Sequence, residues 1–299
     1  MASQMISPID ADFVVQEQLD RLLGKVAQAF KTDALGCSGA LMFGTDTVFR
    51  RVIEARKKGD PDRKLTIVLT TVGGIVEVVQ RIVAIIRHHY DLVNFVIPDF
   101  AFSAGTVLVM SGDAIYMDYF SRLGPIDPQI ERGERLVPAL GYCERYQDLI
   151  KESGNRQLTD AELAVLISAF DQAELHQYEQ ARDLSVSLLQ DWLVRYKFKN
   201  WDKTEERGVA VTTEMKKDRA TEIALVLNDT KKWHSHAAGI SAQVLRDELN
   251  LKIDDLDGNR KRTVDNYHSL LDDYMRRRGH FGVLHMRSQY MSYHVHGVT

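Results

Sequence analysis

The chain has 299 residues, 44% of them apolar, and its 38 basic and 42 acidic side chains leave a net charge of −4. So small an imbalance offers no electrostatic footprint for a nucleic-acid partner, and two cysteines, Cys37 and Cys143, make neither a disulfide framework nor a metal motif. The most apolar window, Ile75 to Ile86, is interrupted by Glu77, Gln80 and Arg81 and is too short to span a bilayer; residues 1–13 lack the basic-then-apolar order of a secretory leader, so a soluble cytoplasmic protein with reduced, buried or half-buried thiols is expected.

Residues 12–31 place apolar groups at helical spacing. Gly36 to Phe43 reads as a short strand, and Thr45 with Asp46 caps a helix that runs to about Lys58. Gly59 to Asp62 is a turn. Leu65–Leu69, Val93–Ile97 and Ala114–Met117 read as buried strands, separated by helices over Ile75–His89 and Ser103–Met110. Nearly continuous apolar strands alternating with helices predict a parallel sheet with right-handed crossovers. Beyond Pro128 helices dominate. Glu131–Pro138 reads as a loop or hairpin, and Thr159–Lys197 as a long helical pattern opened by the capping-box pair Thr159 and Glu162. Asn200–Val211 reads as a charged connection, and Thr213–Leu227 and Ser235–Leu249 as two more helices. Three segments follow: a helical one over 1–35, the main domain over 36–255, and a tail over 256–299.

Two strand-to-helix junctions carry the chemistry. Leu69-Thr-Thr-Val-Gly-Gly74 ends one strand and opens one helix; Phe102-Ser-Ala-Gly-Thr106 does the same thirty residues later. Acyl transfer needs a hydroxyl nucleophile, which Ser103 offers, and free backbone N–H groups to hold an oxyanion, which Gly74 and Ala104 offer, with Gly73 shaping the turn. Each has a plainer alternative. A Gly-Gly pair is also an ordinary tight βα turn, and a serine at a helix start is commonly an N-cap.

The same segments, with Gly112-Asp-Ala-Ile-Tyr-Met117, Ser121-Arg-Leu-Gly-Pro-Ile-Asp-Pro-Gln129, Arg156-Gln-Leu-Thr-Asp-Ala-Glu162 and Trp233-His-Ser-His236, resemble the serine dehydrogenase proteinase family, which is related to signal peptide peptidase A and Clp protease. The resemblance spans roughly residues 36–255. It implies an α/β fold of the ClpP/crotonase type, stacked βαβ units with a helical C-terminal extension, and a homo-oligomer. It also implies a serine endopeptidase acting on a peptide or protein substrate without metal or organic cofactor. Clp protease places a histidine where this chain has Ser121–Pro128, which contains none; Asp127 lies near that place. The peptidase-A-like group uses a lysine some tens of residues past its serine, and Lys151 is the sole lysine between Lys64 and Lys197. The resemblance thus assigns a dyad of Ser103 and Lys151, with a solvated surface lysine as the alternative.

Two other functions compete on the same fold. A crotonase-type acyl-CoA enzyme would use the two N–H groups for an enolate, with Glu77 as acid or base. An inactive peptide-binding or assembly protein would use neither. His234 and His236 lack a third ligand for metal, and Arg276 to Arg278 read as a solvated helix end. Neither a dinucleotide fingerprint nor a Walker motif is present.

Overall fold

Helix α1 (Ala11–Phe30) is capped at Asp10, which accepts the Phe13 N–H at 2.8 Å, and it ends at left-handed Lys31. It leads into β1 (Asp33–Ser38), α2 (Thr45–Lys57), β2 (Lys64–Thr70), α3 (Val76–His89), β3 (Leu92–Ile97), β4 (Phe100–Ala101), α4 (Ala104–Val109) and β5 (Ala114–Met117). The computed structural model describes residues 10–57, 63–126, 129–132, 135–204, 208–233, 235 and 239–294. The turn expected at Gly59–Asp62, together with Asp127, His234 and His236, lies outside these residues.

The main sheet orders its strands β10-β5-β3-β2-β1-β11-β12, with β10 (Asp254–Asp255), β11 (Gly282–Met286) and β12 (Gln289–Tyr293) joining from late in the chain. β1, β2, β3, β5 and β10 pair in parallel; β11 runs antiparallel to β1 and to β12. Val93 sits opposite Leu65, as expected for neighbouring parallel strands. Strand periodicity sorts the core into two layers. Leu65, Ile67, Leu69 and Phe95 pack with α2, α3 and α4, whereas Val68 and Val96 pack with α1 and α11 (Gly258–Arg278). Crossovers of one hand that step in one direction along a sheet must put their helices on one face, and α2, α3 and α4 do share a face.

Beyond β5 the chain adds β6 (Arg122–Leu123), which pairs with β4 and with β9 (Ile240–Ser241). The hairpin of β7 (Gln129–Arg132) and β8 (Arg135–Pro138) follows. Next come α5 (Ala139–Asn155), α6 (Asp160–Ala169), α7 (Gln172–Trp192), a π-helical turn over Leu193–Lys197, α8 (Thr213–Leu227), α9 (Thr230–Trp233) and α10 (Ala242–Asp247). The Thr159 capping box is formed in full.

Four expectations differ from this outcome. The first strand lies at 33–38 rather than 36–43, because Gly39 (φ 121) breaks it where Gly282 and Phe281 close in; a Cβ there would sit 2.6 Å from the Gly282 Cα. The long helix over 159–197 is two helices, broken at Phe170, whose extended backbone ends α6, and restarted by the Asp171 cap. The helix expected over 235–249 is confined to 242–247, with Ser241 as its cap and β9 before it. The stretch read as a tail supplies α11, β11 and β12. Its Tyr267 hydroxyl meets His285 Nδ1 at 3.0 Å, and His285 Nε2 meets Asp20 at 3.0 Å, which ties that stretch to α1.

Candidate active site

Two loops leave the carboxyl edge of the sheet side by side, one from β2 into α3 and one from β3 into α4. A parallel bridge joins them: the Thr71 N–H donates to the Phe100 carbonyl and the Phe102 N–H donates to the Thr71 carbonyl, both at 3.0 Å. Thr71 Oγ1 also accepts the Gly73 N–H at 3.0 Å. Gly73 and Gly74 have φ of 103° and 151°, backbone that side chains resist. A Cβ on Gly73 would sit 2.6 Å from the Phe102 carbonyl oxygen and 2.8 Å from the Ser103 Cβ. The glycine is there because the serine is pressed against it.

Gly74 is held from the other side. Leu41 donates to the Gly73 carbonyl at 2.8 Å, and Ile75 donates to the Leu41 carbonyl at 2.9 Å. Those bonds flank Gly74 and leave its own N–H outside the ladder. The Ala104 N–H, first in its helix, has no intrahelical acceptor either.

Ser103 has φ 51° and ψ −122°, a conformation that costs a residue with a Cβ about 1–3 kcal/mol. It stands at the cap position of α4, yet its hydroxyl makes no capping bond. The anchoring falls to Thr106 instead. Its Oγ1 lies 2.8 Å from the carbonyls of both Ala101 and Gly124 and accepts the Gly124 N–H at 3.1 Å. Ser121 donates to the Ile97 carbonyl and, with Phe120, supplies an N–H to Asp118, which also pairs with Lys261 at 2.6 Å. Burial pushes the Asp118 carboxyl up, but Lys261 and the two N–H donors outweigh it and hold it below the usual range. The segment after β5 is thus a brace for the serine turn.

Gly73, Ser103 and Ala104 come together with Gly74 beside them. Lys151 is exposed on α5, a helix that packs on α6, α7 and β7. Glu77 is exposed in the first turn of α3. His88 and His89 end α3 at the opposite edge. Arg276, Arg277 and Arg278 pair with Asp272, Asp273 and Asp12 at 2.8–3.0 Å on the surface. Cys37 and Cys143 are free and buried, and burial pushes the Cys37 thiol up to about 12. Among the described residues no His, Cys, Asp and Glu side chains group as metal ligands, and no helix is long and apolar enough to cross a membrane.

Sequence reasoning missed the contribution of α11. His268 lies 3.1 Å from Thr70 Oγ1 at the end of β2. Burial lowers its pKa against the pull of Asp272, Asp99 and Asp265. The spacing of Val264, Tyr267, Leu271, Tyr274 and Met275 was the available signal, since all five are buried on one helical face.

A central, mostly parallel sheet of stacked βαβ units with helices on both faces is the fold of a ClpP-like α/β protein. A family model described as ClpP-like SDH-type serine proteinase matches residues 40–208, more than half of the chain, and the chain belongs to that family. Two uncharacterized proteins of Methanocaldococcus jannaschii are similar to it. MJ0137 is 24% identical over 117 residues, which are 38% of this chain and 40% of that one. MJ1495 is 25% identical over 162 residues, 53% of each. The chain thus spans about half or less of the relatives it matches. Among solved structures, a mutant of the 1510-N membrane-bound stomatin-specific protease is 22% identical, with a TM-score of 0.31 over 48% of this chain and 74% of the other.

Proposed function

We propose that the protein is a serine peptidase in which Ser103 attacks the scissile carbonyl and the N–H groups of Gly74 and Ala104 hold the oxyanion. The observation that carries this reading is Ser103 itself: positive φ, no capping bond, and a Cβ packed against Gly73. A strained, unemployed hydroxyl on a strand-to-helix turn is the arrangement that exposes a nucleophile. Each oxyanion donor of this kind is worth about 3–4 kcal/mol of barrier. An extended peptide would lie along the loop beside Gly74, where strand addition gives cheap recognition.

Lys151 is the proposed base, taking the serine proton and returning it to the leaving amine. A lysine does this only when desolvated, and Lys151 is exposed in the single chain. The proposal therefore includes a homo-oligomer whose second copy covers this region. Support comes from α6, next to α5, which has no buried residue and exposes Leu163, Val165 and Ile167, the last at 74%. The second reading, a peptide-binding protein without turnover, is favoured by the same exposure of Lys151.

Labelling with a fluorophosphonate, located by mass spectrometry, tests the nucleophile: Ser103 should be modified and Ser103→Ala should not. Peptide hydrolysis should fall by about 10³-fold or more in Ser103→Ala and in Lys151→Ala, with little further loss in the double variant. Activity surviving Lys151→Ala but not Ser103→Ala moves the base elsewhere. Binding without hydrolysis or labelling selects the second reading.

A further inference from the structure

The carboxyl edge carries a second feature that the serine and the glycines do not use. A cavity of about 400 Å³ opens between the ends of β1, β2 and β3 on one side and α11 on the other. That volume suits one large side chain or a small ligand. Its wall is chemically divided. Phe100, Met275 and Phe281 give it an apolar flank, while Asp99, His268 and Asp272 supply titratable groups.

The acidic groups differ in how they are employed. Asp272 pairs with Arg276 at 3.0 Å on the surface. Asp99 is half-buried and has no hydrogen-bond or ion-pair partner for its carboxylate among the described residues. Burial pushes the Asp99 carboxyl up; His268 pulls it down and Asp272 adds to the rise. Burial lowers the His268 pKa against the pull of Asp272 and Asp99, which weakens it as a counter-charge for Asp99. A half-buried carboxylate without a cation costs free energy that an incoming cation would return.

The cavity also has a defined relation to the site already described. Thr71 and Val72 line it, and the next residue is Gly73. Phe100 lines it and stacks on Phe102 with ring centroids 4.9 Å apart, and the next residue is Ser103. A peptide lying across the two loops would pass its side chains over the cavity mouth.

We propose that this cavity receives a lysine or arginine side chain of the bound peptide, its stem between Phe100, Met275 and Phe281 and its cationic head at Asp99 and Asp272. Long basic side chains have this division, an apolar stem and a charged tip. An acidic side chain would meet two carboxylates, and an aliphatic one would leave Asp99 desolvated without a partner. The proposal rests on the peptidase reading for calling that peptide a substrate, and on the cavity alone for its preference.

The test uses the full chain with Ser103→Ala, which binds without turnover, and fluorescent hexapeptides in which one position at a time is fixed as lysine, arginine, norleucine or glutamate. At one position lysine or arginine should bind about tenfold or more tighter than norleucine, the scale of one desolvated charge pair. Adding Asp99→Asn should bring lysine and norleucine close to equality. Norleucine binding as well as lysine at every position, or a preference for basic residues that survives Asp99→Asn, overturns the proposal. Fluorophosphonate labelling of the unmodified chain separates the two ideas. Labelling of Ser103 without a basic preference removes the cavity's role and keeps the peptidase. A basic preference without labelling keeps the cavity and removes the peptidase.

Discussion

The two edges of the main sheet are built on opposite plans. At the amino edge two buried or nearly buried charges, Arg87 and Asp33, are held in networks. Arg87, 9% exposed, pairs with Asp113 at 2.8 Å, donates to the Ser111 carbonyl, and lies 3.7 Å over the Tyr196 ring; Asp113 also accepts the Val93 N–H at 2.8 Å. Buried Asp33 takes the Tyr90 hydroxyl at 3.0 Å and Arg56 at 3.1 Å. At the carboxyl edge the backbone has positive φ at Gly73, Gly74 and Ser103, the serine hydroxyl makes no cap, and Asp99 has no ion pair among the described residues. One edge spends its polar groups on stability; the other keeps them available. Backbone strain concentrated on one side of a sheet, beside a hydroxyl that makes no capping bond, is what a site requires.

That contrast can be broken by experiment. The largest effects belong to the glycines. Gly73→Ala pushes a methyl into the Phe102 carbonyl and the Ser103 Cβ, and should abolish Ser103 labelling, a loss of about 10³-fold or more in hydrolysis on the scale of oxyanion-hole and nucleophile defects. Equal labelling rates in Gly73→Ala and the unmodified chain would remove the glycine from the site. Next comes the amino edge. Arg87→Met strips the cation from Asp113 and should cost about 3–5 kcal/mol in chemical denaturation, while the labelling rate per folded molecule stays unchanged. A parallel loss of labelling would show that the two edges are coupled.

Ser103→Gly sharpens the comparison from the other direction. Glycine accepts φ 51° at no steric cost, so the variant should lose hydrolysis yet gain about 1 kcal/mol of stability if strain is stored at the serine. A melting temperature that falls would mean that the turn is not strained. The smallest effect is at Asp99. Its carboxyl is raised above the ordinary value of 3.8, so the stability that its protonated form contributes is full below that value and lost as pH rises through the raised one. Asp99→Asn should therefore melt slightly higher at neutral pH, and the gain should disappear as pH falls below the ordinary value. An Asn variant that is less stable at neutral pH would assign Asp99 a structural partner.

Much of the parallel core was legible because strands covered on both faces need no alternation. Leu65–Leu69, Val93–Ile97 and Ala114–Met117 are apolar runs bounded by turn residues, and each is a strand close to its expected limits. The meeting of Gly73 with Ser103 was legible only as a pairing of junctions; the φ of Ser103 was not, since backbone strain has no compositional signature. β11 and β12 were missed for another reason. Gly282–Met286 is five residues long, and its neighbour Asp33–Ser38 lies near the other end of the sequence, so nothing local marks the pairing. The helix expected over 235–249 was overread because apolar spacing at Val244, Leu245 and Leu249 outweighed the capping serine at 241 that begins the observed turn.

The pairing of β1 with β11 also sets an order of assembly. Ser38 meets Val283 across some 245 intervening positions, and bringing such distant segments together is slow. Synthesis proceeds from the N-terminus, so the β2 and β3 loops, with Ser103 between them, emerge well before α11 closes over them. The serine turn is made early, and the α11 wall that frames the adjoining cavity is made late. A nascent chain therefore carries the serine turn while the cavity beside it still lacks its wall, which His268, Asp272 and Met275 complete only when α11 docks.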